Sequence, residues 1–146
     1  MKTVLVLGTG LGSVVYIFRS MGADPVFTLV EMDKVVLQIA MELFETSSIR
    51  AKIEPVRNDA LAFMEHNKAK YDLVFLDVFS GRAVPEFVTT HGFLTLCRES
   101  IAPGGHLAFN YIINDQQEWE KVLSVFAAVF PQHTVLDYGI NRILVV

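Results

Sequence analysis

From Thr3 to Ile113 the sequence alternates between short apolar runs and stretches of helical periodicity, a rhythm that few folds accommodate. TVLVLG, ending at Gly8, is continuously apolar with valine at alternate places, as in a strand covered on both faces. GLGSVVYIFRSMG has the length of a short helix stopped by Gly22. Pro25 opens a second buried strand, VFTLVE, which ends on Glu31. Asp33 caps the helix KVVLQIAMELF, whose apolar positions Val35, Val36, Ile39, Ala40, Leu43 and Phe44 follow the spacing of a packed face. KIEPVR is a weaker third strand whose proline marks an edge or a bulge, and Asn58 or Asp59 caps a short helix through Phe63. YDLVFLD is the strongest candidate for a central strand. A helix with a loop lead-in runs from Pro85 to Ile101 and ends at the turn Ala102–Gly105; HLAFNYII is the fifth strand. Asp115 caps DQQEWEKVLSVFAAVF, which Pro131 ends, and HTVLDYG and NRILVV face each other across Gly139, Ile140 and Asn141 as a hairpin. The pattern predicts an α/β fold with a doubly wound Rossmann-like sheet, mainly parallel and closed by a C-terminal antiparallel hairpin.

A chain of 146 residues accommodates one domain, and residues 1–146 are read as a single unit. Hydrophobic residues make up 52% and mean hydropathy is +0.41, yet no run approaches the ~20 apolar residues of a membrane span. The surplus therefore fills a core covered on both sides, or an oligomer interface. The stripe Trp119, Val122, Leu123, Phe126, Val129 and Phe130 reads as core; any part left exposed predicts a homodimer through that helix or its neighbours. The opening MKTVLVLG meets glycine too early for a signal peptide, so the chain is read as cytoplasmic with no membrane partner. A net charge of −4 with scattered lysines and arginines argues against nucleic acid as a partner. Cys97 reads as a small core residue, and the four histidines show no ligand spacing, so no metal site is predicted.

In open α/β sheets ligands bind beyond the carboxyl ends of the strands, where strand order reverses. That edge collects Gly8, Gly10 and Gly12 after the first strand, Glu31 after the second, Asp59 after the third, Asp77 after the fourth, and Asn110 with Tyr111 near the fifth. The glycines of GTGLGS let the backbone turn tightly and approach a ligand. Glu31 follows at about twenty residues, the spacing at which a carboxylate accepts both hydroxyls of a ribose. NAD and S-adenosylmethionine both satisfy this arrangement. The late hairpin separates them, because a dinucleotide fold continues with parallel strands and a substrate domain, whereas a hairpin closing the sheet at once marks a class I methyltransferase sheet.

In order and spacing, VLVLGTGLGS, TLVEMD, RNDALAF, YDLVFLDVFSGRAVPEF and APGGHLAFN resemble the spermidine synthase-like branch of the class I S-adenosylmethionine-dependent methyltransferase superfamily, over nearly the whole chain. The resemblance implies S-adenosylmethionine or its decarboxylated form as cofactor. It places the loop of Gly8, Gly10 and Gly12 against the methionine part, Glu31 at the ribose with Met32 beside it, and Asp59 with Ala60 at the adenine amino group. Aminopropyltransferases of this branch carry two aspartates spaced D-x-x-D after the fourth strand; here the first is Asp77, which the resemblance nominates as the catalytic residue, and the second place holds Ser80. Leu11 stands where their glycine loop carries an aspartate. Both departures remove negative charge from a pocket made for a polycation, and a desolvated ammonium without a partner costs several kcal/mol. The strand domain that precedes the first strand in those enzymes and covers the polyamine site has no counterpart in residues 1–146.

The expected function is transfer from S-adenosylmethionine, of methyl rather than aminopropyl, to a small-molecule acceptor. Aminopropyl transfer and a non-catalytic cofactor-binding subunit are the alternatives. Asp77 either orients an amine or hydroxyl and accepts its proton, or helps hold the methionine moiety in an Asx turn with Ser80 and Gly81. Phe79, Ser80, Asn110 and Tyr111 are the candidate acceptor-binding residues, the aromatic faces suiting a cation. His91 reads as an exposed histidine at a helix start, and Arg82 as a solvated loop arginine or a partner for the cofactor carboxylate.

Overall fold

The computed structural model describes residues 1–47 and 50–146. Its strands are β1 (Thr3–Leu7), β2 (Val26–Glu31), β3 (Lys52–Arg57), β4 (Tyr71–Leu76), β5 (Ile101–Ile112), β6 (Thr134–Tyr138) and β7 (Asn141–Val145). The helices are α1 (Ser13–Ser20), α2 (Lys34–Thr46), α3 (Ala60–His66), α4 (His91–Glu99) and α5 (Gln116–Val129), with a 3₁₀ turn, Glu86–Thr89, leading into α4. All seven strands form one sheet in the order β3-β2-β1-β4-β5-β7-β6. The pairs among β1 to β5 are parallel, and β7 runs antiparallel to both β5 and β6. Strand order reverses at β1, between β2 and β4, so the crevice opens beyond the carboxyl ends of these strands.

Side chains alternate across each strand and divide the core in two. Val4 and Val6 of β1 pack with Phe27, Leu29, Val15 of α1, and Ala40 and Phe44 of α2. Leu5 and Leu7 face the other way, into a larger cluster containing Val74, Leu76, Leu107, Phe109, Met64 of α3, Phe93 and Leu94 of α4, and Trp119 and Phe126 of α5. The continuous apolar reading of β1 follows from this, since both of its faces are buried. Cys97 lies fully within the larger cluster, where burial lifts its thiol far above the ordinary range and leaves it inert.

Three local readings differ. The turn at Ala102–Gly105 does not precede the fifth strand but lies inside β5: Tyr71 pairs with Ile101 and Leu73 with His106, so extra residues bulge out of the ladder. Gly104 takes a positive φ of 74°, and a Cβ on Gly105 would sit 2.9 Å from the Asp72 carbonyl oxygen, so glycine is what allows the bulge to rejoin the strand. On α2 the buried residues are Leu37, Ala40 and Phe44, while Val35, Ile39 and Leu43 of the predicted face are 62%, 42% and 39% exposed. That helix is apolar on more than one side, and the sheet beneath it selects the stripe. On α5 Trp119, Val122, Phe126 and Val129 are buried in the larger cluster, with Phe130 after it, while Leu123 of the predicted stripe is only partly buried against it; Leu136, Tyr138 and Ile140 of the hairpin region are the exposed apolar residues nearest the C-terminus.

Candidate active site

Beyond β1 the chain turns through three glycines in the left-handed region, Gly8, Gly10 and Gly12. A Cβ on Gly8 would lie 2.3 Å from the carbonyl oxygen of Asp77, and one on Gly12 would lie 2.1 Å from the ring of Phe44. Gly10 has only open space around that position. The outer two glycines thus allow close packing of loop on strand and helix, whereas the middle one exposes bare backbone to the crevice. Thr9, buried between them, ties the loop to β2 through its hydroxyl on the Val30 carbonyl at 3.3 Å.

Glu31, the last residue of β2, accepts from the Gly10 N–H at 3.3 Å and from the Asp33 N–H at 3.0 Å. Asp33 caps α2 and Asp59 caps α3, the latter through Ala62 N–H at 3.0 Å. Asp77 follows β4 and receives the side-chain amide of Asn110 at 2.8 Å, whose oxygen in turn accepts from the Asn141 amide at 3.1 Å. Burial raises the proton affinity of Asp77, and the Asn110 hydrogen bond opposes that rise without cancelling it.

These groups surround a cavity of about 330 Å³ lined by Gly8, Gly10, Glu31, Met32, Asp59, Ala60, Asp77, Phe79 and Ser80. Of the residues nominated from sequence, Gly12 lies outside the lining, against Phe44. Asn110 also stands outside it, half-buried with its amide on Asp77. Tyr111 points to the opposite face of β5, 3% exposed, its ring 5.5 Å from Trp119 and 5.9 Å from Phe109. Strand alternation makes this unavoidable: if Asn110 faces Asp77, Tyr111 faces the core. Sequence reasoning missed Val30, Asn58, Val78, Pro85 and Phe87 in the lining; the last two enter because the loop after β4 folds back through a Ser80–Ala83 bridge. His66, His106 and His133 each bond a backbone carbonyl away from the cavity, and the Arg82 carbonyl accepts from Asn114. Among the described residues no cluster of three His, Cys, Asp or Glu is placed to hold a metal, and no helix is long and apolar enough to cross a membrane.

A glycine-backed crevice with a carboxylate at the end of each neighbouring strand agrees with comparison to known proteins. The spermine/spermidine synthase domain family model matches residues 1–135. The chain belongs to that family. An N-terminal histidine N-methyltransferase from Emericella nidulans is 30% identical over 137 residues, covering 89% of this chain and 24% of that protein. A probable polyamine aminopropyl transferase from Bifidobacterium longum is 28% identical over 88% of this chain and 29% of its own length. Among solved structures, human methyltransferase-like protein 13 in complex with SAH superposes with a TM-score of 0.85 at 24% identity, over 99% of this chain and 70% of that one. A probable spermidine synthase from Corynebacterium glutamicum superposes at 0.83 with 26% identity, over 99% and 55%. The chain spans between 20% and 49% of the curated relatives it matches. The family and the sheet therefore place it in the spermidine synthase-like branch of the class I methyltransferase fold.

Proposed function

We propose that the chain is an S-adenosylmethionine-dependent transferase that moves a methyl group to a single amine nitrogen of a small acceptor. The observation that carries this reading is the loop from residue 77 to residue 87. It brings one half-buried carboxylate, Asp77, to the cavity, beside Phe79, Pro85 and Phe87, and offers Ser80 where a second acid would be needed to hold a polycation.

The cavity suits the cofactor on physical grounds. At Gly10 the backbone is bare and the space beyond it open, so the methionine part can approach closely. Glu31 already binds two backbone N–H groups, so its carboxylate is held at the strand end where ribose hydroxyls can donate to it. Met32, Asn58, Asp59 and Ala60 form the neighbouring wall, where Asp59 would accept from an adenine amino group. Bound S-adenosylmethionine supplies an electrophilic methyl carbon on a sulfonium.

Asp77 accepts a hydrogen bond from the acceptor amine and so aims its lone pair along the line of attack. The nitrogen that accepts the methyl group would carry a surplus proton, which the Asp77 carboxylate would take up. Burial raises its proton affinity, the direction that favours taking up a proton. Val78, Phe79, Pro85 and Phe87 keep water from the reacting atoms. Nitrogen as the accepting atom is supported by similarity to the Emericella N-terminal histidine N-methyltransferase and to the Drosophila eEF1A lysine and N-terminal methyltransferase homologs.

A second reading, aminopropyl transfer from decarboxylated S-adenosylmethionine, draws on the family match and the Bifidobacterium relative. Incubation with each cofactor form and a panel of mono-, di- and triamines, with products weighed by mass spectrometry, separates the two. Methylated monoamines are expected; aminopropylated putrescine without methylation would replace the first reading with the second.

A further inference from the structure

Asn110 and Asn141 sit on the same face of the antiparallel pair β5–β7 as diagonal neighbours, since Asn110 pairs with Ile143 and Ile112 with Asn141. The three side chains form a series: the Asn141 amide donates to the Asn110 oxygen at 3.1 Å, and the Asn110 amide donates to Asp77 Oδ1 at 2.8 Å. A carboxamide has a donor end and an acceptor end and turns both together. Whatever occupies the Asn110 oxygen therefore decides which end meets Asp77.

We propose that Asn141 is a positioning residue for Asp77: by donating to the Asn110 oxygen it holds that amide with its NH₂ toward the carboxylate. Asn141 opens β7, directly after the tight turn in which Gly139 has a φ of 74°, so its backbone is held independently of the cavity. Without this donor Asn110 is free to rotate or to turn its oxygen toward Asp77, and an amide oxygen favours the protonated acid where the NH₂ favours the carboxylate. Donors aligned in series also polarise one another, which strengthens the terminal bond to Asp77. The remaining titratable groups of the cavity are Glu31 at the end of β2 and Asp59 at the start of α3, and among the described residues no lysine or arginine lines it, so the two amides are its means of favouring the charged form. From β1 Asp77 meets backbone groups: its N–H donates to the Leu7 carbonyl at 2.9 Å and its own carbonyl lies against Gly8. Arg142, next to Asn141, is engaged by Asp137 at 2.7 Å.

The consequence for turnover rests on the reading of Asp77 as proton acceptor; the hydrogen-bond relay does not. The test is a carboxyl-carbon NMR titration of Asp77 in the ligand-free protein, comparing wild type with Asn110→Leu and Asn141→Leu, with Asn141→Ser as a second variant whose side chain is too short to reach Asn110. Both Asn141 variants are expected to shift the Asp77 titration to higher pH, in the same direction as Asn110→Leu and by a smaller amount. An Asp77 titration that moves in Asn110→Leu but stays at its wild-type position in a folded Asn141 variant would overturn the proposal, as would one that moves in none of them. If the titration shifts while the pH–rate profile of transfer does not, the relay stands and the role assigned to Asp77 fails.

Discussion

A Cβ on Gly8 would lie 2.3 Å from the carbonyl oxygen of Asp77. The tips of β1 and β4 therefore meet backbone to backbone, and the loop that faces the cofactor is seated directly on the residue nominated for chemistry. Gly8 also holds a φ of 84°, which an L-side chain adopts at a cost. Gly8→Ala combines steric overlap with that backbone strain, so a loss of roughly 2–4 kcal/mol in folding stability is expected, measured by urea denaturation. Gly10→Ala, with open space around its Cβ position, is expected to cost less stability while weakening cofactor binding, measured by calorimetry.

Glu31→Gln tests the ribose assignment. The exchange keeps the side chain's shape but leaves a single accepting oxygen, so only one of the Gly10 and Asp33 N–H bonds is retained, and it weakens bonds that depend on charge. Because hydrogen bonds to charged groups are worth ~1.5–3 kcal/mol, cofactor affinity is expected to fall by about ten- to a hundredfold, with a modest fall in melting temperature from the lost backbone bond. Unchanged affinity would remove Glu31 from the cofactor site.

Asp77 carries a definite sign in its pH dependence. Its folded-state proton affinity is raised, so the folded chain binds this proton more tightly than the unfolded chain. The contribution to stability is therefore greatest below the ordinary aspartate range, declines as pH rises towards the raised folded value, and is flat above it. Asp77→Asn retains an acceptor for Asn110 and deletes the buried charge. It is expected to lose that slope and to melt higher than wild type at neutral pH, while transfer slows by about a hundredfold or more, as for the loss of a general base. A variant both less stable at neutral pH and fully active would contradict this account of Asp77.

Ser80→Asp restores the second acid of the D-x-x-D pattern. Ser80 is exposed and lines the cavity, so the new carboxylate enters without a burial penalty. Binding of putrescine or spermidine is expected to strengthen several-fold, with the gain shrinking as salt is added, since the added attraction is between partly solvated charges. No change in diamine affinity would mean that the missing charge at this place is not what sets acceptor choice.

The centre of the parallel half was legible because β1 and β2 are buried on both faces and so read as continuous apolar runs, as in Val4 to Leu7, whereas the edge strand β3 is mostly exposed and reads weakly. Where burial is one-sided or interrupted, the sequence is ambiguous. Val35 and Leu37 are equally apolar on α2, and only contact with the sheet leaves the first exposed and the second buried. The bulge at Ala102–Gly105 looks like a turn in sequence because bulge and turn call on the same glycines; the ladder on either side of it reveals the difference. At the site, Glu31, Asp59 and Asp77 were legible from strand ends and caps. Phe87 and Asn141 were not, because the first arrives through a folded-back loop and the second through a diagonal across two strands separated by a helix and a hairpin.

The central claim concerns the cofactor, and parallel calorimetric titrations of S-adenosylmethionine, its decarboxylated form and NAD into the wild-type chain and Glu31→Ala test it most directly. Saturable binding of one or both of the first two, loss of that binding in Glu31→Ala, and no heat from NAD are expected. Binding of NAD alone, or S-adenosylmethionine affinity indifferent to Glu31→Ala, would contradict it.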